Sequence, residues 1–103
     1  MKPRYILAPE AARDLVEIWT YLKQNAGEQT AEHVESAIRE RIVFLSENPG
    51  IGHRRRDLTD HNVKFLPVYS YLVVYRPDIK PLQVVSILHG RRDVEGILKR
   101  RPS

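Results

Sequence analysis

The sequence predicts an α+β domain in the order β-α-α-β-β-β-α, with a helical hairpin packed on one side of a small, mainly antiparallel sheet. Three observations carry that class. Apolar residues recur at the helical three- and four-residue spacing through residues 9–47. Runs rich in tyrosine and β-branched residues follow between residues 63 and 89, with turn chemistry between them. The links joining those runs are too short for the crossovers that parallel strands need, so an antiparallel meander is expected. At 103 residues the chain suffices for one core and is too short for two, so residues 1–103 read as a single domain.

"RYILA" (residues 4–8) is a short apolar run that fits a strand. Pro9 then suits the first turn of a helix, where its missing N–H costs nothing. Ala11, Leu15, Ile18, Trp19 and Leu22 form an amphipathic stripe and are expected in the core. "QNAG" stops this helix, with Gly27 free to adopt a left-handed cap. A second helix presents Ala31, Val34, Ile38, Ile42 and Leu45 on one face and ends at "NPG" (48–50). "IGHRRRDLTDHN" (51–62) has no period and reads as a surface loop. "VKFL" (63–66), "YSYLVVYR" (69–76) and "LQVVSILH" (82–89) read as strands, with "PDIKP" as the turn before the last. Tyr69, Tyr71 and Tyr75 are expected on one strand face, opposite Leu72 and Val74. Asp93 can cap a closing helix, "VEGILKR" (94–100), by accepting from the N–H of Glu95 or Gly96.

Charge is unevenly spread. Residues 10–47 carry eight acids against four bases, whereas residues 48–103 carry eleven bases against five acids, a net of +6; Lys2 and Arg4 bring the total to +4. Such asymmetry suits an acidic partner or a phosphate backbone on the basic side. The chain has no cysteine, which excludes disulfides and thiolate metal sites. No apolar run approaches the roughly 18 residues of a membrane span, and the N-terminus lacks the apolar stretch of a signal peptide, so a cytoplasmic location is expected.

Two basic segments stand out. The first is Arg54, Arg55 and Arg56; the second is His89, Gly90, Arg91, Arg92 and Asp93, where a strand meets a helix. RNA cleavage would need an acid–base pair and a cation for the phosphorane charge. His53, His61 and His89 supply the first type, and Arg54–Arg56, Lys64, Arg91 and Arg92 the second, but nothing in their spacing forces them together. His33, His53, His61 and His89 are too scattered for a zinc site. No nucleophile elbow or phosphate-cradling glycine loop is present. Gly90 can end the strand and Asp93 can cap the helix, so a turn accounts for two of the five residues. The arginines and the histidine are left over as candidates for contact with a target.

Taken in order, "LAPEAARDLVEIWTYL", "LSENPGIGHRRRDL", "VYSYLVVYRP" and "VVSILHGRRDVEGIL" resemble the ParE branch of the RelE/ParE toxin superfamily over nearly the whole chain. The resemblance implies the same α+β fold and a toxin that arrests bacterial growth. It implies a cognate acidic antitoxin from the adjacent gene, with a DNA-binding N-terminal half, in a toxin–antitoxin hetero-oligomer. For ParE-like members the implied target is DNA gyrase, whose cleaved-DNA complex is stabilised with no bond broken by the toxin; for RelE-like members it is mRNA on the ribosome. No cofactor, metal or membrane is implied. RelE-like nucleases carry a functional tyrosine after the signature arginines, where this chain has Ile97 and Leu98, and a lysine-rich loop where it has Arg54–Arg56. The ParE-like reading is therefore preferred, with the endoribonuclease as alternative. Ala8 stands where relatives place a capping Ser or Thr before the proline, a loss of about 0.5–2 kcal/mol of helix stability.

Overall fold

The structure, a computed structural model, describes residues 3–101, so Lys2 lies outside it. Its elements are β1 (Tyr5–Leu7), α1 (Pro9–Ala26), α2 (Glu28–Glu47), β2 (Lys64–Val68), β3 (Tyr71–Arg76), β4 (Leu82–His89) and α3 (Val94–Arg100). The sheet order is β1-β4-β3-β2. The three later strands form the expected antiparallel meander, and β1 joins it parallel to β4. The long excursion through α1 and α2 makes that parallel pairing possible.

Two apolar clusters sandwich the sheet. On one face Ala11, Leu15, Ile38, Ile42 and Leu45 of the helical hairpin meet strand residues that include Val73 and Tyr75. On the other, Val94, Ile97 and Leu98 of α3 pack with Phe65, Val74 and Leu88. The helix ends follow their sequence. Pro9 opens α1 behind Ala8, which makes no side-chain cap. Gly27 closes α1 and opens α2 at φ 99°, ψ 159°. That conformation is not the left-handed cap expected but a more extended one essentially confined to glycine, and it lets the Gly27 carbonyl accept from Ala31 N at 3.1 Å.

Three details depart from expectation. Trp19 is half-buried on the flank of α1 rather than in the core, with the Lys23 ammonium 5.1 Å from its ring centre. The inward stripe runs through Ala11, Asp14, Leu15 and Ile18, and one further residue turns about 100° away from it. Strand β2 starts one residue late and runs on through Pro67, which is exposed on the sheet's outer strand. Phe65 exchanges both backbone bonds with His53 on that outer side, so Pro67, two residues on, lacks only an outward-facing donor. Tyr69 is not in β3 at all: it sits in the two-residue turn with Ser70, at φ 53°. Tyr71 and Tyr75 do share the hairpin-facing side, opposite Leu72 and Val74.

One irregularity positions the functional end of the sheet. Tyr75 opposes Val84 while Val74 opposes Ser86, leaving Val85 as the extra residue of a bulge in β4. A bulge resets the alternation of side chains. Val84 and Ile87, three apart, consequently both face the helical hairpin. His89, two beyond Ile87, is carried to the same side.

Candidate functional site

A cleft of about 770 Å³ opens between α1, α2 and the β3–β4 end of the sheet. Ile18, Leu22, Val34 and Ile87 give it apolar walls, and Tyr21, Tyr69 and Tyr71 give it an aromatic side. Tyr21 and Tyr69 are more than 60% exposed, as large aromatic groups held in water. Tyr69 occupies a positive-φ turn position where glycine is usual, a conformation that costs about 1 kcal/mol or more. Its hydroxyl lies 3.0 Å from His33 Nε2, which ties the turn to α2. Burial pushes the Tyr71 phenol above its ordinary pKa, with Tyr21 acting in the same direction.

His89, Arg91 and Arg92 line this cleft together. The His89 ring meets Tyr71 edge-on at 5.3 Å, and its Nδ1 accepts from Arg91 N at 3.1 Å. That bond leaves Nε2 as the protonated nitrogen of the neutral ring. Arg91 and Arg92 are exposed, and among the described residues neither guanidinium has an ion pair or hydrogen bond. The backbone beneath them is tightly held. Gly90 N donates to Ser70 O at 2.8 Å, Arg92 N to His89 O at 3.1 Å, and Asp93 Oδ1 accepts from Gly96 N at 3.1 Å. Gly96 makes room for that cap, because a Cβ there would run into the Asp93 carboxylate. Gly90 is less constrained, since a Cβ would only touch Ser70 O at 3.4 Å.

The other basic segment is used differently. Arg54 donates to Asn62 Oδ1 at 2.7 Å, and Arg55 makes a two-bond pair with Asp57 at 2.8 and 3.0 Å. That pair holds the Asp57 carboxyl below its ordinary pKa, chiefly through the hydrogen bonds. Arg56 lies instead by a smaller hollow with His61, Glu95 and Lys99, on the α3 side. The base of the loop is pinned by Tyr75. Its hydroxyl donates to Pro49 O at 2.7 Å and accepts from Gly52 N at 2.9 Å, and burial raises its pKa. The structure thus brings His89, Arg91 and Arg92 to one cleft and leaves Arg54, Arg55 and Arg56 outside it. Among the described residues no group of three or more His, Asp or Glu side chains gathers as a metal site would.

Sequence reasoning missed the group beneath the cleft. Asp14 is only 2% exposed, and Arg101 grips its carboxylate with two bonds of 2.6 and 2.8 Å. Arg101 also donates to Ser86 Oγ at 3.0 Å, and Ile87 N donates to Asp14 Oδ2 at 2.9 Å. The Asp14 hydrogen bonds raise the Arg101 pKa against the opposing effect of burial. The signal was available, because a carboxylate at position 14 falls on the apolar stripe between Ala11 and Leu15 and so needs a buried partner.

This geometry can be set beside known proteins. The family described as "ParE toxin of type II toxin-antitoxin system, parDE" matches residues 5–94, from β1 to the start of α3. The Toxin ParE1 of Mycobacterium tuberculosis is 32% identical over 96 residues, covering 92% of this chain and 97% of that protein. The Toxin ParE1 of Caulobacter vibrioides is 30% identical over 89 residues, covering 86% and 90%. A solved structure titled "Chromosomal ParDE TA system from P. aeruginosa" shares the fold at a TM-score of 0.69 and 21% identity, covering 82% of this chain and 92% of that one. With β1 to β4, the helical hairpin and the cleft-lining turn all within the matched residues, the chain belongs to the ParE toxin family of type II toxin–antitoxin systems.

Proposed function

We propose that the chain arrests growth by poisoning DNA gyrase in the cytoplasm, stabilising the cleaved-DNA complex without breaking a bond itself, and that a cognate acidic antitoxin neutralises it. The observation that carries this reading is the pair Arg91 and Arg92, without a side-chain partner among the described residues, lining an aromatic-sided cleft on a hydrogen-bonded turn. Two guanidiniums carried on a fixed backbone, with no ion pair among the described residues, are free to meet an anionic or polar surface. The same charge suits the neutralising partner. A net +6 over residues 48–103 favours an acidic segment with apolar anchors that orders as it binds. That partner is the product of the adjacent gene, with a DNA-binding N-terminal half, and the two form a hetero-oligomer. The Pseudomonas neighbour, titled as a ParDE system, supports such an arrangement by analogy of fold.

The ribosome-dependent nuclease reading is weakened at the closing helix. Where RelE-like nucleases carry a functional tyrosine, Ile97 and Leu98 are buried at 7% and 5% exposure and belong to the core. The test is induction in cells with and without the adjacent gene, followed by assays of DNA breaks and of translation. Gyrase-dependent breaks with intact mRNA are expected, and the antitoxin should relieve the breaks. Codon-specific mRNA cuts without DNA damage would reverse the ranking.

A further inference from the structure

The carboxylate of Asp14 is the most buried charge in the described protein, and the reading above makes no use of it. Its position relative to β4 gives it a role. Strand β1 is three residues long and covers β4 only at Leu82, Val84 and the residue between them. Beyond Val84 that side of β4 has no neighbouring strand among the described residues. Gly90 N donates to Ser70 O on the β3 side, so alternation turns the N–H groups of Ile87 and His89 toward the uncovered side. Asp14 Oδ2 takes the first of these at 2.9 Å. A side chain from α1 thereby replaces the missing strand two residues before His89.

The charge is held there by the far end of the chain. α3 packs on the opposite face of the sheet from α1, and Arg101 follows it. Its guanidinium reaches round the β4 edge, bonding Ser86 Oγ and both oxygens of Asp14. Among the described residues no buried side-chain polar atom, the clasp's included, lacks a hydrogen-bond partner. Arg101 lies beyond residue 94, where the match to the family model ends, whereas Asp14 lies within it.

We propose that Asp14 and Arg101 are positioning residues for the His89–Arg92 turn. By taking the Ile87 N–H, Asp14 fixes the otherwise one-sided end of β4; Arg101 keeps that carboxylate oriented through its two hydrogen bonds. The turn that presents Arg91 and Arg92 is then anchored from both sides, by Ser70 through Gly90 and by Asp14 through Ile87. This rests on the proposed function only in taking the turn as the target contact.

Removing one partner alone would bury an unpaired charge and unfold the chain, which tests nothing about position. Two double variants separate the roles. Asp14→Asn with Arg101→Gln removes both charges but leaves an amide oxygen to accept from Ile87 N. Asp14→Leu with Arg101→Met removes both charges and the acceptor as well. Apolar replacement of a whole buried pair is commonly tolerated, so both should fold, as a thermal melt will check. The expected result is amide exchange at Ile87 about tenfold faster in the Leu/Met variant than in the Asn/Gln variant, the loss of one hydrogen bond. Growth arrest should weaken in the Leu/Met variant and persist in the Asn/Gln variant. Equal exchange in the two, or unequal exchange with equal arrest, overturns the proposal. A wild-type chain that arrests nothing defeats the proposed function instead, and the exchange comparison then decides the positioning role by itself.

Discussion

Arg54–Arg55 and Arg91–Arg92 look alike as sequence, two basic pairs in the basic half of the chain, yet the fold treats them oppositely. Asn62 and Asp57 hold Arg54 and Arg55 within their own loop. Arg91 and Arg92 have no such partner among the described residues and line a cleft with an aromatic side. The difference comes from the neighbours each loop supplies. "RRRD" has its own carboxylate two residues after Arg55, whereas the acid that follows Arg92 is consumed in capping α3 through Gly96. A basic run is available to a partner only where the fold has spent the nearby acids elsewhere.

The largest expected effect follows from that contrast. Replacing Arg91 and Arg92 together by alanine should abolish growth arrest while changing the unfolding free energy, read from urea denaturation, by no more than about 0.5 kcal/mol, as for exposed substitutions generally. Replacing Arg54 and Arg55 should do the reverse, preserving arrest and making the 51–62 loop easier to nick with a protease. A double Arg54/Arg55 variant that loses arrest as fully as the Arg91/Arg92 variant would erase the distinction.

The fold was legible in the sequence to a high degree, because periodicity reports burial and the elements here are strongly periodic. β4 and α3 fall where the pattern put them. Tyr69 was misplaced because a bulky residue at positive φ gives no sign of itself in a strand-like run. The bulge at Val85 was hidden for a related reason: in "LQVVSILH" every register buries an aliphatic side chain on each face, so an extra residue leaves no scar. At the site, the His89–Asp93 turn was legible as a local cluster. Its clasp was not, since Asp14 and Arg101 lie at opposite ends of the chain and only the topology joins them. Nor was Tyr21 legible as a cleft residue, because its exposure depends on where α1 meets the sheet end.

A second effect concerns the loop that is tied down. Tyr75→Phe leaves the buried Gly52 N–H and the Pro49 carbonyl without their partner and should cost about 1–3 kcal/mol. Its pH signature follows from burial. The folded phenol has a raised pKa, so its contribution is complete below the ordinary value of 10.0 and is lost as pH rises through the folded value. Urea midpoints should therefore fall above about pH 10, and less steeply in Tyr75→Phe. Equal slopes in the two proteins would show that Tyr75 is not the group responsible.

The smallest effects lie within the basic turn itself. Asp93→Ala should cost about 1 kcal/mol through the lost cap while sparing much of the activity. Gly90→Ala should stay within about 0.5 kcal/mol, since its Cβ meets only Ser70 O at ordinary contact distance. A large loss of stability at Gly90, measured by the same urea midpoint, would mean that the turn depends on glycine more than its geometry indicates.

The central claim is that one basic segment, and not the other, acts on gyrase, and a supercoiling reaction tests it most directly. Purified wild-type chain, gyrase, relaxed plasmid and ATP are combined, and supercoiled and cleaved plasmid are quantified. Inhibited supercoiling with a raised yield of cleaved plasmid is expected for the wild type and for the Arg54/Arg55 double-alanine variant, and neither for the Arg91/Arg92 variant. Unchanged gyrase activity with wild-type protein, alongside codon-specific mRNA cuts in a translating extract, would contradict the account.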